Sequence, residues 1–170
     1  YALLSNDIFG ANVKVVFVPA LNKPGAADVE LVVDESRVFG TDLFTNNRGT
    51  RLLGPVEYSA SLYQYNGLYG NKTTFNAVRT DADEMRYYMF NHRQPINSDG
   101  LSLIFNASRT STQPDFIALP ELNRTALQIP GESDQMSLQV EYLLVRSRLY
   151  NLMLNAKFEA SDNITKFAQN

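Results

Sequence analysis

The chain contains no cysteine, no tryptophan and a single histidine, His92. Without thiols there is no disulfide framework, no thiolate metal site and no cysteine nucleophile. Small secreted domains often rest on disulfides, so that class is disfavoured. One histidine with neither cysteine nor a carboxylate cluster beside it is a poor metal site, and no metal is expected. Long apolar runs are also missing: no stretch reaches the roughly 18 residues of a membrane-spanning helix. The mean hydropathy of −0.24 resembles that of a soluble protein. A membrane wall built of strands would give a similar value, because only alternate residues face lipid. Neither charge sign dominates, with 15 Lys and Arg against 18 Asp and Glu. That balance gives no basic stripe for nucleic acid. Phosphate-cradling loops, nucleophile elbows and zinc-helix motifs are absent, so neither an enzyme nor a cofactor is expected. The first residues, "YALLSNDIFG", carry no initiator, basic segment or cleavage site. The sequence reads as starting within a longer protein.

What the chain does have is alternation. "VEYSASLYQY" (56–65), "LSLIFNASRT" (101–110), "MSLQVEYLLV" (136–145) and the segment from Asn151 to Ala160 place apolar and polar residues by turns. "RVFGTDLFT" (37–45), "KTTFNAVRT" (72–80) and "MRYYMFNHRQ" (85–94) complete a set of seven segments. Repeated period 2 argues for strands and against helices. For the two less regular segments the apolar faces are read as Phe75/Ala77 and Met85/Tyr87/Met89. That choice leaves Arg86 and His92 on the opposite side of theirs. Residues 1–36 differ in character. They hold a short helical piece around Ala2–Asn6, then Val-rich runs at 13–20 and 27–35 split by "LNKPG", a hairpin signal.

The connectors fall into two kinds. "NGLYGN", "NSDG" and "RSRLYN" are tight, whereas "NNRGTRLLG" and the segment between residues 111 and 135 are longer; "RTDADE" is short and breaks the trend. Tight turns at one end and long loops at the other, with strands of about ten residues, suit an outer-membrane barrel. Tyrosines near the strand ends (65, 69, 87, 88, 142, 150) suit an interfacial girdle. A soluble β-sandwich or jelly roll with core tyrosines is the competing fold. Four Asn-x-Ser/Thr triplets occur, at Asn71, Asn106, Asn123 and Asn163. They read as chance in an Asn-rich chain, because Asn106 falls within a strand. Asp81, Asp83 and Glu84 read as a solvated acidic loop, not an EF-hand. Arg146 and Arg148 read as flanking a soluble turn.

Three stretches carry a family resemblance. "GAADVELVVDESRVFGTDLFTNNRGTRLLGP" (25–55) resembles the junction of the second POTRA domain with the first barrel strand in two-partner secretion transporters. These form the haemolysin-activator/ShlB-like branch of the Omp85 superfamily. "DEMRYYMFNHRQPINSDGLSLIFNASRTS" (83–111) and "VEYLLVRSRLYNLMLNAKFEAS" (140–161) are similar to later strand pairs of that family. The resemblance runs in order over about residues 2–165. Leu143 stands where the family often has proline, and Asn155 where it often has glycine. Its VRGY-like loop, F-x-D-x-G strand, plug helix and first POTRA domain are not in this sequence.

The resemblance implies a mainly β chain: about seven of sixteen strands of an antiparallel transmembrane barrel over 37–170, preceded by the C-terminal part of an α+β POTRA domain over 1–36. A seven-stranded sheet has two open edges, which lipid does not tolerate, so further strands are expected after Asn170. The implied function is export of a large exoprotein, of adhesin or cytolysin class, from periplasm to cell surface by two-partner (type Vb) secretion, without ATP. Alternatives are an Omp85-type assembly factor for outer-membrane proteins and a soluble secreted binding module. The implied location is the Gram-negative outer membrane, with 1–36 periplasmic. The implied partners are the exoprotein client, outer-membrane lipid and the barrel-assembly machinery, with no nucleic acid. Alternation makes Glu57, Ser59, Ser61, Ser102, Asn106, Ser137, Gln139, Glu141, Asn155, Lys157 and Glu159 the lumen-facing set. Val56, Tyr58, Leu62, Leu101, Leu103, Phe105, Leu138, Val140, Tyr142, Leu152, Leu154 and Phe158 are then the lipid-facing set. Val13, Val15 and Phe17 lie on a strand that could accept an extended client by strand addition.

Overall fold

The computed structural model describes residues 11–21, 25–35, 38–65, 70–115, 129–147 and 149–166. Among them all regular structure is strand. The helical piece expected around Ala2–Asn6 lies outside these residues, as do Tyr69, Asn123 and Arg148. Strands β1 (Ala11–Pro19) and β2 (Ala27–Glu35) pair antiparallel as a two-stranded sheet. Val13, Val15 and Phe17 face the same side as their partners Val33, Leu31 and Val29.

The second sheet is a seven-stranded antiparallel meander in chain order. Its strands are β3 (Phe39–Asn46), β4 (Glu57–Tyr65), β5 (Lys72–Thr80), β6 (Met85–Pro95), β7 (Leu101–Thr112), β8 (Gly131–Arg146) and β9 (Asn151–Thr165). All seven expected strands are present. β8 and β9 are longer than their hydrophobic alternation, at 16 and 15 residues. Toward the loop end, Glu132, Ser133, Asp134 and Gln135 pair with Ile164, Asn163, Asp162 and Ser161. Both faces there are largely polar, so the ladder continues where the period-2 signal has faded.

In a meander, alternate connections share an end. The ends of β4, β6 and β8 therefore lie together with the start of β3, at the turn end. The ends of β3, β5 and β7 lie together at the other, the loop end. The 96–100 turn is closed by the Asn97 side-chain carbonyl, which accepts from the amides of Asp99 (3.1 Å) and Leu101 (2.9 Å). Gly100 takes a positive φ of 93° there, a conformation open to glycine. At the loop end the connections are tied by backbone hydrogen bonds. Asp81 N–H donates to Val56 O (3.0 Å), Gln113 N–H to Glu84 O (2.6 Å) and Asp115 N–H to Leu52 O (2.9 Å).

Burial is inverted relative to a water-soluble protein. Among the described residues Val13 is the one buried large apolar side chain, and the buried polar ones are Asn71, Thr80, Ser102, Ser137 and Glu141. Phe158 is 73% exposed and Leu154 58%. Withdrawing such a side chain from water is worth about 1.5–3 kcal/mol. A face with a dozen of them outweighs the roughly 5–15 kcal/mol net stability of a domain. Some apolar medium must meet that face.

Gly54 also has a positive φ, 92°, and a Cβ there would fall 2.6 Å from Cβ of Thr80, which is 1% exposed. Gly54→Ala is expected to destabilise the loop end by about 1–3 kcal/mol. The urea midpoint of the refolded full-length protein in detergent would fall; an unchanged midpoint would contradict this packing.

Candidate functional site: a two-faced sheet

Directly opposed residues in an antiparallel ladder share a face. Following the register across the sheet therefore sorts every side chain. Asp42, Ser61, Asn76, Met89 and Ser108 belong to one face, and so do Asn91, Asn106, Ser137 and Glu159. Leu62, Phe75, Phe90, Ala107, Met136 and Ala160 form one unbroken row on the other.

Glu57, Ser59, Ser61, Ser102, Asn106, Ser137, Gln139, Glu141, Asn155, Lys157 and Glu159 all lie on the first face. Tyr58, Leu62, Leu101, Leu103, Phe105, Leu138, Val140, Tyr142, Leu154 and Phe158 lie on the second. Val56 immediately precedes β4. Leu152 pairs with Val145 beyond an irregularity between Leu143 and Val145.

One face assignment is corrected. Met85, Tyr87 and Met89 share the polar face with Asn91 and Arg93, while Arg86, Tyr88, Phe90 and His92 stand on the apolar face. β6 carries bulky apolar groups on both sides, so its own composition does not choose. Its register with β7 does. Arg86 and His92 lie toward opposite ends of the strand, with Tyr88 and Phe90 between them. Neither charge-capable group therefore needs to sit at the middle of the apolar strip.

Polar groups on the first face are knitted together. Ser61 Oγ donates to Asn76 Oδ1 (2.7 Å). Asn91 Nδ2 donates to Asn106 Oδ1, and Asn106 Nδ2 to Ser137 Oγ (3.2 Å). Gln139 Nε2 donates to Glu141 Oε1 (2.9 Å), and Arg93 Nη1 lies 2.8 Å from Glu141 Oε2. That second oxygen is buried and meets charge without an aligned N–H. Lys157 pairs with Glu159. Toward the tight-turn end Tyr63 stacks obliquely on Tyr65 (5.2 Å) and Lys72 Nζ sits 5.5 Å from the Tyr65 ring centre. The alternation of 56–65 already set Tyr63 beside Glu57, Ser59 and Ser61, whereas Asn91, Arg93, Asn76 and Lys72 escaped the sequence reading. The signal that could have found them was pairing to a neighbour of known face, such as Asn91 opposite Asn106. Phe44, Val78 and Ile104 also lie on this face, so it is mixed rather than uniformly polar.

Two of the Asn-x-Ser/Thr sites are poor glycan acceptors here. Asn71 is 5% exposed, and Asn106 is bonded on both sides. Among the described residues no three His, Cys, Asp or Glu side chains gather to hold a metal. No helix among them is long and apolar enough to cross a membrane.

The apolar strip crosses the register rows obliquely. On β5 and β6 the row of Phe75 and Phe90 has Thr73 and His92 immediately on its turn side. On β8 and β9 the same row, Met136 and Ala160, is the loop-side edge of a strip that runs on through Leu138/Phe158 and Val140/Ala156 to Tyr142/Leu154. Such drift is what strands tilted about 35–45° to a barrel axis produce.

The sheet with its lead-in hairpin is similar to CdiB from Escherichia coli, with a TM-score of 0.67 at 13% identity, covering 98% of this chain and 31% of that one. This is the fold of part of a β-barrel. BamA from Haemophilus ducreyi lacking POTRA domains 1–3 gives a TM-score of 0.48 at 12% identity, covering 98% of this chain and 36% of that one. The chain spans about a third of the length of these solved structures. No family model and no curated protein matches the sequence.

The two faces predict opposite responses to charge. Val140→Arg, at the middle of the apolar strip, is expected to cost about 2–4 kcal/mol in a bilayer. Gln139→Arg, one residue away on the polar face, next to Glu141 and opposite Lys157, is expected to cost well under half of that, because the new charge stays in water. Equilibrium unfolding of each variant from lipid vesicles checks the contrast; equal costs would contradict it.

Proposed function

We propose that residues 37–166 are part of the wall of a Gram-negative outer-membrane barrel that exports a large exoprotein by two-partner secretion. The observation that carries this reading is the inverted sheet: bonded polar groups on one face and a dozen exposed apolar side chains on the other. The apolar face meets lipid and the polar face a wet lumen. The motifs "NNRGTR", "INSDGL" and "VRSRLYNL", in that order, favour the secretion branch over outer-membrane protein assembly. The likeness to CdiB supports the barrel fold on which the reading rests.

In this reading the tight turns and residues 1–36 are periplasmic, and 1–36 are the end of a POTRA domain. β1, which carries Val13, Val15 and Phe17, is then the strand to which an extended client would add. The lumen carries both charge signs and many amides and hydroxyls. That suits a sliding, unfolded polypeptide better than a single-sign ion filter. No chemical step is assigned to the chain, and folding of the client outside the cell biases its passage. In hydrocarbon the free N–H and C=O groups of β3 and β9 cost several kcal/mol each. Both edges are therefore met by further strands of the same barrel.

Deleting the gene is expected to abolish surface display of one large exoprotein while leaving the amounts of other outer-membrane proteins unchanged, as read by surface proteomics. Intact exoprotein secretion, or a general loss of outer-membrane proteins, would contradict the proposal.

A further inference from the structure

We infer that Arg79 and Arg86 form a clip for the phosphate of an anionic lipid headgroup in the loop-side leaflet. The inference rests on reading the sheet as a membrane wall, and it concerns the outer surface rather than the lumen.

Arg79 on β5 and Arg86 on β6 are direct cross-strand partners on the apolar face. Like charges directly opposed in a sheet repel and are normally avoided. Here one carboxylate holds them together. Asp83 Oδ1 lies 2.9 Å from Arg79 Nε and accepts from Arg86 Nε at 2.6 Å, while Arg86 Nη2 reaches Oδ2. Asp83 occupies the left-handed region, φ 68°, the one non-glycine residue to do so among those described. That conformation sets its carboxylate between the two guanidiniums.

Two positive charges against one negative leave a local surplus. The neighbouring acids are engaged elsewhere: carboxylate oxygens of Asp81 and Glu84 lie 2.8 and 2.9 Å from where a Cβ on Gly54 would stand, and Glu84 Oε2 accepts from Thr80 Oγ1 (3.4 Å). The guanidiniums remain open, with Arg79 at 63% and Arg86 at 51% side-chain exposure against 23% for Asp83. Arg109, on the next strand, is different: Glu132 at 3.1 Å and Asp134 at 3.7 Å already neutralise it.

Depth selects the anion. On β6 the apolar strip is only Tyr88 and Phe90, and beyond it comes His92. Arg86 to His92 is six strand steps, about 20 Å along the strand. Tilt shortens this further along the membrane normal, against an apolar band about 25 Å tall in such barrels. At so narrow a place the arginines stand at headgroup level or below it. The anionic group within reach is a lipid phosphate, and arginine forks bind phosphate through paired N–H donors.

The test uses the full-length protein in phosphate-free maltoside micelles, with lipid A as the phosphorylated lipid and native mass spectrometry to count bound copies. Arg79→Gln/Arg86→Gln is expected to lower the apparent lipid A affinity roughly tenfold or more, given the strength of charged hydrogen bonds. Arg109→Gln is expected to leave it unchanged, and Arg79→Lys/Arg86→Lys to fall between. Should the double glutamine variant fail to fold, Arg79→Gln alone is read, with the same direction expected. Undiminished lipid A binding in folded variants would overturn the clip. So would full displacement by inorganic phosphate at matched concentration, which would mean a free-anion site. A probe at Val140 reporting lipid contact in the same samples separates failure of the clip from failure of the membrane-wall reading.

Discussion

Register is the constraint on which the rest of this structure depends. With a side-chain period of two, a slip of one residue in any strand pair would carry that strand's entire apolar set to the polar face. The ladders prevent it by matching both faces at once. Leu138 opposes Phe105 and Phe158 while Ser137 opposes Asn106 and Glu159. The polar matches include hydrogen bonds with defined partners, so they penalise a slip alongside the apolar ones. The tight turn at 96–100, fixed by the Asn97 side chain and Gly100, sets the count for β6 against β7.

The same constraint explains why the ends of the sheet differ. At the turn end, local side-chain bonds close the β6–β7 hairpin at Asn97 and the β8–β9 hairpin at Ser147, which bonds Tyr150 through both its hydroxyl and its amide. At the loop end two of the three connections are longer, the β5–β6 one being only four residues. They are held by backbone bonds to one another and by Thr80, whose hydroxyl accepts from Met85 N–H at 3.0 Å under Gly54. Here the polar β8–β9 extension and the Arg79–Asp83–Arg86 group mark where the apolar strip stops.

Much of the sheet was legible because most strands have two unlike faces. β4, β7, β8 and β9 declare themselves by alternation alone, and the Val-rich hairpin does so by the Pro-Gly between its runs. β6 did not, because Met85, Tyr87 and Met89 are as apolar as Tyr88 and Phe90, and a strand's face is then fixed by its neighbours. Arg86 and His92 looked like groups to be kept from the apolar side; position along the strand, which composition does not reveal, makes them its boundaries. The partners across the polar face were illegible for the same reason. The loop lock around Gly54 rests on main-chain geometry that side-chain patterns do not encode.

The account stands on the apolar face lying against lipid. The lack of cysteine in this sequence makes a single-cysteine scan straightforward. Cysteines would be placed one at a time from Ser137 to Tyr142 and from Leu154 to Glu159 in the full-length protein in lipid vesicles. Each would be tested with a water-soluble maleimide and with a lipid-dissolved quencher. The account predicts alternation: the water-soluble reagent reacts at 139, 155, 157 and 159 and only slowly at the closely packed 137 and 141, and the quencher reaches probes at 138, 140, 142, 154, 156 and 158. Uniform reactivity with the water-soluble reagent, or a quencher pattern that ignores the alternation, would show that the apolar face does not meet a membrane.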